Sequence, residues 1–67
     1  MELRVFIKVV GEFKSEDLWA CISRYKVNLT DLGNEVYVHG KMTPTVFLQV
    51  TMVCLQFGRL NIEVTVP

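Results

Sequence analysis

A catalytic Cys–His pair would have to combine the one histidine of this chain, His39, with one of its two cysteines, Cys21 and Cys54. A catalytic Cys–His pair needs the thiol and the imidazole in contact, with a carboxylate that orients the ring. A structural zinc site needs four ligands, and the chain has no cysteine pair at CxxC spacing. We therefore expect no metal and no cofactor. The helical spacing described below predicts that both cysteines point inward as small buried groups, which argues against catalysis within a single chain.

A second group of residues combines aromatic rings with cations. They alternate along two segments of the chain: Arg4, Phe6 and Lys8, then Tyr37, His39 and Lys41. If the two segments are neighbouring strands, these side chains share one face, where rings could stack on bases and cations could contact phosphates. Glu2, Glu35 and Glu63 fall on the same face and weaken its positive field. Two other interpretations are that the side chains pair across strands and shield the sheet, or that two such faces pack together.

Composition fixes the class of protein. The 67 residues carry seven Lys and Arg against seven Asp and Glu, and 51% are hydrophobic. This is typical of one small globular domain over residues 1–67, and it excludes a disordered tail or a multi-domain protein. A neutral chain also lacks the basic footprint of most nucleic-acid-binding domains. We expect a cytoplasmic protein, because the sequence shows no disulfide framework, no signal peptide and no apolar run of about 18 residues.

The first third of the chain predicts a strand followed by a helix. Residues 2–10 alternate between apolar side chains and charged or aromatic ones, which is typical of a half-buried strand. Ser15, followed by Glu16 and Asp17, predicts a helix with Ser15 as its N-cap and two carboxylates at the positive end of its dipole. The helix would run for about three turns. Its inner face would consist of Leu18, Cys21, Ile22 and Tyr25.

Two strands joined by a tight turn are expected next. Residues 27–32 alternate less regularly and predict a short edge strand, while residues 35–41 alternate clearly. Gly33-Asn34 between them is a signature of a two-residue hairpin turn, so the two strands should be antiparallel.

A second helix and a last strand complete the pattern. Thr43 is placed as an N-cap, Pro44 as the first helical residue, and Gly58 as the glycine that closes the helix after about four turns. Residues 59–66 then alternate as a strand. Its predicted inward side chains are Leu60, Ile62, Val64 and Val66.

The order of elements is therefore β-α-β-β-α-β. Two right-handed split βαβ units of this kind predict an α+β fold, the ferredoxin-like sandwich, with a four-stranded antiparallel sheet and two helices on one face. The first and third strands should form its central pair.

The second helix is unusual because no charged residue occurs between positions 42 and 58. One stripe of apolar side chains suffices to cover the sheet, whereas Leu48, Met52 and Leu55 point nearly the opposite way. An apolar patch of this kind on a small protein is typical of an interface, and we expect a homodimer or larger oligomer. The alternative is that Met42, the chain ends or a rotated helix cover the patch. Membrane association is not expected, because no Lys or Arg flanks the patch.

Families with this topology imply other functions. The placement of Phe6 and Tyr37 resembles that of the stacking aromatics in RNA-recognition motifs, although residues 35–41 lack the basic-Gly-aromatic run of those domains. The topology also resembles that of ACT-type domains, which implies binding of a small effector, with residues 11–13 in place of their usual Pro-Gly turn. Acylphosphatases share the topology too, but residues 11–14 offer one lysine and no arginine-bearing phosphate cradle.

The sequence thus predicts a small, non-catalytic assembly module that self-associates through Leu48, Met52 and Leu55. The alternatives are an ACT-like effector-binding domain and, less favoured, a single-stranded nucleic-acid binder that uses the open sheet face. Another protein as partner is also compatible with the exposed patch.

Overall fold

The computed structural model describes residues 1–66. They form four strands, two α-helices and a 3₁₀ turn at Ser23–Tyr25. In chain order the main elements are β1 (Leu3–Val10), α1 (Ser15–Ile22), β2 (Asn28–Asp31), β3 (Val36–Met42), α2 (Pro44–Leu55) and β4 (Arg59–Thr65).

The four strands form one antiparallel sheet in the order β2-β3-β1-β4. β1 and β3 are the central pair and β2 lies at an edge, which confirms both predictions. β1 pairs with β3 from Leu3↔Met42 to Val9↔Val36, and with β4 from Arg4↔Thr65 to Val10↔Arg59. The first strand is therefore hydrogen-bonded on both sides along nearly its whole length.

The core lies on one face of this sheet. The strand residues that alternate inward are buried, and both helices add buried side chains to the same cluster, so both cover that face. These core residues are Leu3, Val5, Ile7, Val9, Leu18, Ile22, Val27, Val36, Val38, Met42, Val50 and Cys54. Because Met42 is part of the core, it does not cover the outer side of α2.

The start and the inner face of α1 differ from the sequence prediction. Lys14 occupies the N-cap position and Ser15 is the first helical residue, with its hydroxyl 3.3 Å from the Glu16 carboxylate. Cys21, predicted to point inward, is exposed. The buried face of α1 is centred on the i, i+4 pair Leu18 and Ile22, and at 100° per residue Cys21 lies about 80° from the middle of that face.

Local hydrogen bonds define the hairpin between β2 and β3. The Leu32 N–H donates to the Glu35 carbonyl at 2.9 Å, which closes a two-residue turn over Gly33 and Asn34. The Gly33 N–H donates to the Asp31 carboxylate at 2.8 Å, and this bond lowers the pKa of Asp31. Gly33 has a φ of 90°, a conformation that suits glycine.

The start of α2 agrees with the sequence, but its end does not. The Thr43 hydroxyl accepts the Val46 N–H at 3.3 Å and Pro44 follows as the first helical residue. The helix ends at Leu55, and Gly58 does not have the positive φ of a closing glycine. Gly58 instead lies where the end of β1 and the start of β4 meet: a Cβ there would overlap the Val10 carbonyl. Position 58 requires glycine because its backbone approaches that of Val10 closely, and not because the chain makes a left-handed turn there.

The predicted burial of β4 differs most from the structure. Ile62 and Val64 are on the inward side, opposite Ile7 and Val5, yet they are 40% and 41% exposed, while those partners are 0% and 3% exposed. Val66, also predicted to point inward, is exposed beyond the end of the strand. Alternation places these side chains on the helical side of the sheet, and α2 contacts β4, but the helices leave Ile62 and Val64 partly exposed.

Replacing Gly58 with Ala is expected to lower the free energy of unfolding by about 3 kcal/mol, because the added methyl group meets backbone that cannot rotate away. Gly33→Ala is the matched control: its Cβ would meet open space, so only the positive φ costs energy, about 1 kcal/mol. Urea denaturation measures both. A cost for Gly58→Ala no larger than that of the control would contradict the close approach.

Candidate functional site

The open face of the sheet brings together all six residues of the predicted candidate face. The register places them as three cross-strand pairs: Arg4↔Lys41, Phe6↔His39 and Lys8↔Tyr37. The helices cover the opposite face, so these side chains stand on the uncovered side of β1 and β3. Alternation along the two strands, together with the predicted central pair of β1 and β3, predicted this grouping.

Three rings form a cluster at the centre of the open face. Phe6 stacks on His39 with ring centroids 5.1 Å apart and planes 19° from parallel, and it meets Tyr37 at 5.0 Å with a 58° tilt. The Thr30 hydroxyl lies 3.0 Å from His39 Nε2 and fixes that ring from the neighbouring strand. Thr30 is a positioning residue that sequence analysis missed, because its role depends on the β2–β3 register. The rings are thus held by their neighbours, and Phe6 remains 45% exposed.

The two ends of the open face differ in charge. At one end, Lys8 Nζ lies 2.8 Å from Glu35 Oε2, and the hydrogen bond and charge of Glu35 raise the pKa of Lys8. At the other end, Arg4 and Lys41 are direct cross-strand neighbours. Among residues 1–66, neither has a carboxylate within 4.0 Å. Like charges opposite each other destabilise an antiparallel pair.

A depression of about 450 Å³ lies at this cationic end. Arg4, Phe6, His39 and Lys41 line it, together with five residues that were not predicted as site residues: Val5, Asn28, Gly40, Glu63 and Thr65. Glu63 and Thr65 were expected on this face, but only the pairing of β4 with β1 shows that they border the same depression. The depression can hold a small anion beside an aromatic wall, with one carboxylate, Glu63, opposing a large negative ligand.

The outer side of α2 is the second candidate site. Leu48, Met52 and Leu55 are 61%, 59% and 59% exposed, as predicted, and they follow one another at i, i+4 and i+7. They form a stripe opposite the buried Val50 and Cys54. We call these three residues the α2 patch.

The structure does not bring the cysteines and the histidine together. Cys54 lies in the core, where burial raises the pKa of its thiol to about 11, so it is protonated at neutral pH. Cys21 is exposed on α1, and His39 faces the other side of the sheet. Residues 1–66 contain no cluster of three or more His, Cys, Asp or Glu side chains placed to hold a metal ion. No helix within them has the length and apolar character needed to cross a bilayer.

Comparisons with known protein families, with curated proteins and with solved structures find no match for this chain.

Phosphate is expected to stabilise the protein through Arg4 and Lys41. At constant ionic strength, added phosphate should raise the thermal unfolding temperature, and Lys41→Gln should abolish this response. In phosphate-free, low-salt buffer the same variant should unfold about 2 to 4 °C higher than the unmodified protein, because it removes the repulsion between neighbouring cations.

Lys8→Gln is the matched control, since Lys8 is already paired with Glu35. It should keep the full phosphate response. An equal response of Lys41→Gln and the unmodified protein would exclude anion binding at this end of the sheet.

Proposed function

We propose that this protein is a small, non-catalytic assembly module that self-associates through the α2 patch. The observation that carries the proposal is a twelve-residue helix without charge whose outer side exposes three large apolar side chains. We also propose that the fold is a ferredoxin-like sandwich, because the order of elements and the central β1–β3 pair agree with that topology.

A second copy of the same chain is the occupant that best fits the α2 patch. The stripe is apolar and its helix lacks Asp, Glu, Lys and Arg, so two copies can meet about a two-fold axis without like-charge repulsion. A different protein would commonly gain specificity from complementary charges, and the helix offers none. Contact between two stripes also removes from water the side chains that α2 cannot bury against its own sheet.

A reducing, cytoplasmic setting accompanies this proposal. Both Cys21 and Cys54 are free thiols, and exposed thiols such as Cys21 persist where glutathione and thioredoxin keep them reduced.

Binding of a small acidic effector, as in ACT-like domains, is the second candidate function. It rests on Arg4 and Lys41, which have no carboxylate partner among residues 1–66, and on the depression between them and Phe6. A single-stranded nucleic acid is a weaker candidate for the same face, because Lys8 is neutralised by Glu35 and Glu63 lies opposite Phe6. A long anionic backbone would have to pass these carboxylates, whereas an amino acid or a nucleotide would occupy only the cationic end.

Adding charge to the α2 patch is expected to abolish self-association. The double variant Leu48→Lys, Met52→Lys removes two apolar side chains from each copy and therefore four from the interface, a loss of more than about 3 kcal/mol that weakens association more than about 100-fold. Sedimentation analysis over a concentration series measures the dissociation constant.

Gln49→Lys, Gln56→Lys is the matched control. It adds the same charge at two exposed positions of the α2 segment that lie outside the stripe, and it should associate as the unmodified protein does. If both double variants associate as tightly as the unmodified chain, the α2 patch is not the interface.

A further inference from the structure

The two edge strands of the sheet, β2 and β4, differ in how well they are protected from pairing with another chain. β2 is only four residues long and ends in the Asp31 turn, which is how many proteins keep an edge from pairing with another chain. β4 is seven residues long, and its one-to-one register with β1 is unbroken from Arg59 to Thr65. It contains no lysine, no proline and no bulge, three of the devices that commonly prevent edge pairing, and its charged residues are Arg59 and Glu63, of opposite sign.

β4 also exposes apolar side chains beside its free backbone edge. Ile62 and Val64 are 40% and 41% exposed on the helical side of the sheet, although their partners on β1 are buried. Leu60, on the same side, is partly buried against the core. A strand that offers both unpaired backbone groups and an apolar side is suited to accept another strand.

We propose that a second copy of this chain pairs its β4 antiparallel to this β4, about a two-fold axis at Ile62. The two sheets then become one continuous sheet that contains the four strands of each copy. This interface lies on a different surface from the α2 patch and does not depend on it. Its occupant is another copy because the strand is complementary to itself in this register.

The charges and the lengths of the paired segments select the register. With the axis at Ile62 every residue of β4 has a partner, and apolar residues face apolar residues. The cross-strand pairs are Ile62 with Ile62, Leu60 with Val64, Asn61 with Glu63, and Arg59 with Thr65. Arg59 is then diagonal to Glu63 of the second copy, within reach of its carboxylate.

The two neighbouring registers that keep the same side chains on the helical face are less favourable. An axis at Glu63 places two carboxylates directly opposite each other, which is destabilising. An axis at Asn61 aligns Arg59 with Glu63, but it pairs only residues 59–63 and leaves Val64 facing glycine, Gly58, of the other copy. The axis at Ile62 is the one that combines full pairing with complementary charge.

Disulfide trapping tests both the interface and its register. Single cysteines are introduced as Asn61→Cys, Ile62→Cys and Glu63→Cys in a Cys21→Ser background, because Cys21 is exposed and would cross-link on its own. The Cα atom of the residue on the axis lies about 4.5 to 5.5 Å from the Cα atom of the same residue in the second copy. This separation is within the range that a disulfide spans. Ile62→Cys should therefore form covalent dimers at least about tenfold faster than the other two variants.

The same three variants are also oxidised in the Leu48→Lys, Met52→Lys background. If the Ile62→Cys cross-link still forms in this charged background, it supports pairing through β4, whether or not the α2 patch is an interface. Equal rates for the three variants, or faster cross-linking of Asn61→Cys or Glu63→Cys, would overturn the proposal. Loss of the cross-link only in the charged background would assign the contact to the α2 patch and likewise overturn pairing through β4.

A second test introduces a charge into β4 and does not depend on disulfide chemistry. Ile62→Lys places two cations opposite each other across the axis and should abolish the β4 contact, whereas Asn61→Lys places a cation opposite Glu63 and should preserve it. Ile62 is already partly exposed, so its replacement leaves the core intact. Equal association of these two variants would also contradict the proposed register.

Discussion

Burial of the inner side of β1 is the interaction on which the rest of the structure depends. Val5, Ile7 and Val9 lie at the centre of the core, and β1 pairs with β3 on one side and β4 on the other. Only two helices cover this face, one of eight residues and one of twelve. They leave apolar side chains on β4 and on the outer side of α2 in contact with water.

That incomplete coverage links the two proposed interfaces. A chain of 67 residues buries only about 60% of the surface that its extended form exposes, so additional burial between copies adds substantially to a small core. The α2 patch and the edge of β4 are two separate parts of the uncovered surface, and neither carries a lysine or a proline that would oppose contact between copies. The open face is different: its central rings are already held by cross-strand neighbours, and of its three cations only Lys8 has a carboxylate partner among the described residues.

Sequence patterns predicted which side of an element each residue lies on, but not what covers that side. Alternation placed Phe6 with His39 correctly, and the cap formed by Thr43 and Pro44 is present. Ile62 was expected to be buried because it alternates with polar residues, yet its exposure depends on how far the helices extend over the sheet. Gly58 was misinterpreted for a related reason: its close approach to Val10 is a contact between distant parts of the chain, which has no local signal.

The mass of the unmodified protein in solution tests the central claim, that the chain completes the burial of its apolar surface by association with itself. Light scattering over a concentration series from micromolar to millimolar measures it directly. We expect a mass that rises with concentration to at least twice the 7.7 kDa of a single chain. A mass of 7.7 kDa at every concentration would contradict it.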